Sequence, residues 1–201
     1  RISSISLSLK AGKSLGFLVG ALVLGTAFPH LIKNFTADLP WKVVIIVTSV
    51  IALLGGLLIL LFVPDGPYRN KSKAPNFSAW ISIFKVIPFR KAAFGYFGHM
   101  WELYTFWAFV PIILYSYGEV HSIEFNIPLL SFIIIGCGGI ACAIGGILSK
   151  SVGSKKLATF FITCSGLCCL ISPAVFIYGS EWFFISFLIF WGLVVIADSP
   201  L

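Results

Sequence analysis

Apolar residues in this chain come in long blocks separated by short polar stretches, without the alternation that a half-buried strand requires. Six blocks stand out, at 14–35, 43–63, 92–117, 127–148, 157–178 and 182–201. Each reaches the roughly 20 residues that a helix needs to cross about 30 Å of hydrocarbon. In a bilayer core only helices and closed barrels give every backbone N–H and C=O a partner. Barrel strands alternate polar and apolar residues over about ten positions. These blocks do not alternate and are about twice that long. The pattern therefore predicts an all-α, polytopic membrane bundle of about six helices.

The connections carry a charge signal. Arg1, Lys10 and Lys13 precede the first block. Arg69, Lys71, Lys73, Lys85, Arg90 and Lys91 stand between the second and third, and Lys150, Lys155 and Lys156 between the fourth and fifth. If the blocks cross in turn, all of these lie on one side. That leaves only Lys33 and Lys42 of the 14 basic residues on the other, together with Asp38, Glu119, Glu124 and Glu181. Basic residues accumulate in cytoplasmic loops. The N-terminal end and the connections 64–91 and 149–156 are therefore expected to face the cytoplasm. The chain opens at Arg1 without a signal peptide, and an internal piece of a longer protein is expected.

The connection 64–91 starts with the turn-forming run Pro64-Asp65-Gly66-Pro67. Further on, Phe77, Trp80, Ile81 and Phe84 recur at helical spacing, followed by Lys85, Arg90 and Lys91. Two forms fit this pattern equally: a short helix lying in the membrane surface, or one packed under the bundle. Small residues also recur every four positions. They are Gly12, Gly16 and Gly20, then Ala52 and Gly56, then Gly138, Cys142 and Gly146. Such stripes let helix backbones approach closely.

Composition agrees with the pattern. Hydrophobic residues make up 59% and charged residues only 10% of the 201, against about 25% charged in soluble domains. The net charge of +7 is a topology signal rather than a nucleic-acid footprint, because the basic residues flank the apolar blocks. All five cysteines lie inside blocks with no C-x-x-C pair and read as small packing residues. No P-loop, zinc motif, nucleophile elbow or dinucleotide fingerprint occurs. Neither a metal nor another cofactor is expected, and an enzyme or an ATP-driven pump is disfavoured.

Ionisable residues deep in hydrocarbon are expensive, and each is a candidate for function. The third block carries His99 and Glu102, whose i, i+3 spacing puts them on one helix face. Glu102 lies about ten residues into the block, or ~15 Å at 1.5 Å per residue, near the bilayer midplane. Tyr96 and Phe106 share that side, and Trp101, Tyr104 and Trp107 are close by. Aromatic walls with one acid and one imidazole suit a binding cavity. Glu102 is a candidate proton-carrying acid. His99 is a candidate partner that tunes it or donates to a polar or anionic substrate. The competing reading is a buried hydrogen-bonded pair that ties helices together. His30 follows Pro29 near the outer end of block one. A kink there would bare backbone carbonyls that His30 would cap or edge. Asp198, late in block six, is placed to pair with a basic loop residue or line an inner vestibule. Pro111 and Pro173 would interrupt blocks three and five.

The stretch 15–30, LGFLVGALVLGTAFPH, resembles the fifth helix of the major facilitator superfamily. The stretch 94–104, FGYFGHMWELY, resembles the seventh helix of a bacterial branch grouped with nitrate/nitrite and cyanate porters. Trp191-Gly192 and Ala197-Asp198-Ser199 resemble its tenth. The resemblance implies helices five to ten of a twelve-helix fold. Residues 1–63 would close the N-terminal half, 64–91 would join the halves, and 92–201 would open the C-terminal half. It places the cytoplasmic gating motif around 145–156, GGILSKSVGSKK, with Lys150 at or beside the position of its usual Asp. It implies alternating access in a bacterial inner membrane, with a small-molecule substrate and protons or a counter-ion as partners. No particular substrate follows, since the arginines of nitrate porters belong to helices outside this stretch. A scaffold or sensor that reuses the fold is the rival reading. A channel is disfavoured, because polar residues are too sparse for a continuous lining.

Overall fold

The computed structural model describes residues 2–64, 82–197 and 199, with the backbone alone for 2–13 and 150. Among the described residues six long helices follow in chain order: α1 (Ile2–Phe35), α2 (Trp41–Phe62), α3 (Ile87–His121), α4 (Ile127–Val152), α5 (Ser154–Tyr178) and α6 (Glu181–Ala197). No strand occurs among the described residues. Four spans are long and apolar enough to cross a membrane by length and composition: Ser14–Phe35, Trp41–Phe62, Ile127–Ser149 and Ser154–Tyr178. The other two expected crossings differ in kind. α3 has the length but is less apolar, because it carries the polar residues of blocks three and its flanks, and α6 has 17 described residues.

Helix ends follow local chemistry. Asn126 caps α4 by accepting the Leu129 N–H at 3.1 Å, and its amide also donates to Asn34 Oδ1 at 2.7 Å, tying α4 to the end of α1. α3 stops at Ser122, which adopts the left-handed conformation. The connection expected over 149–156 contracts to Gly153, whose φ of 90° turns α4 directly into α5. Of the expected amphipathic stretch, Phe77, Trp80 and Ile81 lie outside the described residues, and Phe84 sits in the turn before α3.

The expected interruptions at Pro111 and Pro173 need correction: α3 and α5 run on through these prolines, so neither helix is broken. At Pro173 the physical reason is visible. Proline cannot bond the carbonyl four residues back, and Ser172 Oγ donates to that Cys169 carbonyl instead, at 2.9 Å.

α4 is the hub, packed against α1 on one side and α6 on the other. Glycines set the spacing. A Cβ on Gly20 would stand 2.6 Å from the Gly139 carbonyl oxygen, and one on Gly139 would stand 2.8 Å from that of Gly20. Gly16 approaches Cys142 and Gly146 in the same way. Toward α6, Gly138 faces Ile196, and Cys142 Sγ donates to the Ile196 carbonyl at 3.2 Å. The third stripe behaves differently: Gly56 has open space around it, Ala52 is exposed, and α2 buries none of its residues. Small-residue spacing alone permits contact without choosing a partner. The outward faces are rich in Leu, Ile and Phe, an expanse that water would not tolerate and hydrocarbon solvates.

This packing makes a paired prediction. Gly20→Ala forces α1 away from α4 and should lower stability by roughly 1–3 kcal/mol in detergent thermal unfolding. Gly56→Ala enters open space and should be neutral or stabilising by up to about 1 kcal/mol. Equal effects at the two positions would contradict the glycine contact.

Candidate functional site

The inner face of α3 is a stripe. Leu103, Phe106, Val110, Leu114 and Tyr117 are all buried, and they recur at helical spacing. Glu102 stands at the edge of that stripe, half-buried, where α5 and α6 come alongside. Its Oε1 accepts a hydrogen bond from Ser165 Oγ of α5. Ser165 is 1% exposed, and its oxygen accepts in turn from Trp191 Nε1 of α6 at 3.1 Å. A hydroxyl has one proton to give, and here it goes to the carboxylate while a lone pair takes the indole N–H. Three helices thus converge on one acid. Phe106 lies against Trp191 with ring centroids 5.2 Å apart, and Phe187 packs on the same indole at 5.8 Å.

Beside this network is a cavity of about 450 Å³. Trp101, Glu102, Thr105, Phe106 and Phe109 of α3 line it, with Cys169 of α5 and Trp191 of α6. A shallower hollow of about 590 Å³ shares Trp101, Thr105 and Phe109 and continues around α3. The walls are aromatic, and their one ionisable carboxyl group is Glu102. The volume falls within the roughly 300–1,000 Å³ of small-molecule sites.

The other expected site residues are distributed differently. Glu102 and Phe106 enter the cavity together, whereas Tyr96 is exposed and outside its lining. His99 shares the α3 face with Glu102, yet its Nε2 pairs with Ser199 Oγ at 3.0 Å, beyond the end of α6. The two residues therefore tie α3 to different serines. His30 is half-buried on α1, whose main packing is against α4, and it does not reach the cavity lining. Lys150 belongs to the last turns of α4, and its side chain lies outside the described set. Asp198 lies outside the described residues.

Neither Ser165 nor Trp191 was expected as a site residue. Ser165 stands in an apolar block, and serine in a membrane helix usually bonds its own backbone, as Ser149 and Ser172 do here. Trp191 is one of six tryptophans. A second tie joins α3 to the far end of α5. Tyr117 Oη donates to the Gly179 carbonyl at 2.7 Å while its ring stacks on Phe184 at 3.8 Å. His121 Nε2 meets the Phe176 carbonyl at 3.0 Å one turn on. Among the described residues no three His, Cys, Asp or Glu side chains gather as a metal site.

A family model described as Major Facilitator Superfamily matches residues 4–198. Comparisons with curated proteins and with solved structures return no match.

The Glu102–Ser165 bond is testable by a double-mutant cycle. Ser165→Ala strips a half-buried carboxylate of its donor and the indole of its acceptor, and should cost about 1–3 kcal/mol in thermal unfolding. With Glu102→Gln as background the loss should shrink, giving a coupling of about 0.5–3 kcal/mol. Strict additivity would show that the two groups act independently.

Proposed function

The chain belongs to the major facilitator superfamily, a family of membrane transporters, and on that footing we propose that it is a secondary transporter moving a small solute through the Glu102 cavity by alternating access. The observation that carries the reading is the placement of Glu102. A carboxylate held by Ser165 opens onto an aromatic cavity where three helices of the chain meet. Burying an acid among apolar helices is costly, and packing alone offers little return for it. Glu102 serves as the polar anchor of the solute path, and exchange of a proton or counter-ion at this carboxylate couples the transport. Trp101, Phe106, Phe109 and Trp191 form the walls. The two halves of such a fold rock about a site near mid-depth.

The charge distribution supports an orientation with connections 64–91 and 149–156 in the cytoplasm. The sequence stretches 15–30 and 94–104 support assignment of the six helices to positions five to ten, in a porter of the bacterial inner membrane. His99, tied to Ser199, acts as a brace between α3 and α6 on the inner side of the path. Tyr96, His30, Asp198 and Lys150 belong to its approaches and gates.

Cys169 supplies the test, because it is exposed and lines the cavity. In a variant whose Cys137, Cys142, Cys164 and Cys168 are replaced by serine or alanine, Cys169 should react with a membrane-impermeant maleimide from either face of oriented vesicles. Cross-linking that traps one conformation should abolish reaction from one face only. Reaction from a single face in every condition would favour a non-transporting scaffold or sensor.

A further inference from the structure

We propose that the Glu102 cavity takes a lipophilic organic cation, with the Glu102 carboxylate as counter-charge and the rings of Trp101, Phe106, Phe109 and Trp191 as cation–π walls. The proposal rests on the transport reading only in calling that ion the transported solute. Its grounds are the charges and surfaces around the cavity.

The charge is unbalanced. Residues 92–149 and 157–201, which include nearly all of α3 to α6, contain no Lys or Arg. Every group described as bonded to Glu102 is neutral: Ser165 donates to Oε1, and Trp191 bonds Ser165. Neutral donors orient a carboxylate without cancelling its charge, and its two oxygens offer about four lone-pair directions, so accepting capacity remains. No residue of the described lining is cationic, so an anion entering here would meet the like charge of Glu102, which costs several kcal/mol in a poorly screened site.

The walls decide which cation. A hard ion such as Na⁺ or Ca²⁺ needs about six oxygen ligands. The lining supplies the Glu102 carboxylate and the Thr105 hydroxyl, and the remainder is ring and hydrocarbon apart from the Cys169 thiol. Aromatic faces instead attract a diffuse positive charge within about 6 Å of their centroids, most of all when water is excluded. The Phe106 and Trp191 rings are already 5.2 Å apart and form one corner of such a cage. Trp101 and Phe109, both exposed, add two more aromatic rings to the lining. About 450 Å³ accommodates a cation with an aromatic or alkyl skirt, whereas a bare metal ion would leave most of it empty.

The test pairs two ions of nearly identical shape and opposite charge. Tetraphenylphosphonium and tetraphenylborate are titrated against the intact protein in nanodiscs, following tryptophan fluorescence, with empty nanodiscs subtracted. The cation should saturate and bind at least about tenfold more tightly than the anion. Glu102→Gln should bring the two affinities within about threefold of each other. Trp101→Leu, at an exposed position, should weaken the cation by about fivefold and leave the anion unchanged. Equal binding of both ions by the native protein would overturn the proposal, as would a cation preference that survives Glu102→Gln. The outcomes separate the two readings. If Cys169 reacts from both faces but the cation is not preferred, the solute class falls and transport stands. If the cation is preferred but Cys169 opens to one face only, the cation site stands and transport falls.

Discussion

Hydrocarbon offers no hydrogen bonds, and most of this molecule can be read as a response to that. The backbone answers by closing into helices, in which each N–H finds a carbonyl within its own segment. Polar side chains must answer locally too. Thr48, Thr159 and Thr163 turn their hydroxyls onto carbonyls one turn back. Ser172 takes up the carbonyl that Pro173 leaves without a donor. These are bonds within a single helix, and they say little about function. Glu102 is different because its bond crosses the bundle: Ser165 of α5 donates to it, and Trp191 of α6 donates to Ser165 in turn. An ionisable group is costly in such a medium. The structure converges three helices on it and leaves an open cavity at its side.

Helix approach is the second response. With no hydrophobic drive to press helices together in lipid, close backbone contact depends on small residues. Gly16 and Gly20 let α1 meet α4 at Gly139 and Cys142, and Gly138 lets Ile196 of α6 seat on the other side. α4 is thereby fixed between two neighbours. α6 in turn presents Trp191 to Ser165, so the glycine contacts help to set the geometry of the carboxylate site.

Much of the fold was legible in the sequence, since block length maps directly onto helices when the solvent is hydrocarbon. The six blocks correspond to the six helices in order. Their ends were less legible: α3 continues past block three to His121, and α4 reaches Gly153 before turning. Helical hydrogen bonding does not stop where apolar residues do. The glycine stripes were legible as sticky faces but not as pairings, which is why Ala52 and Gly56 read like Gly16 and Gly20 and yet meet no neighbouring helix among the described residues. Glu102 was conspicuous as an acid within an apolar run. Ser165 and Trp191 were not, because a serine and an indole are cheap in a membrane helix. Their meeting depends on the relative rotation of α3, α5 and α6, which one chain pattern does not encode. The expected pairing of His99 with Glu102 rested on spacing along a helix. In the structure His99 bonds Ser199 and Glu102 bonds Ser165.

Everything attributed to Glu102 requires that α3 cross the bilayer, although its polar residues make it less apolar than α1, α2, α4 and α5. Lys85→Cys and Glu124→Cys, introduced separately into a cysteine-free background, flank that helix and can be labelled with an impermeant thiol reagent in right-side-out and inverted vesicles. Expected is labelling from opposite faces, with Lys85→Cys reached only in inverted vesicles. Labelling of both from the same face would mean that α3 does not cross, and Glu102 would lie outside the membrane path assigned to it.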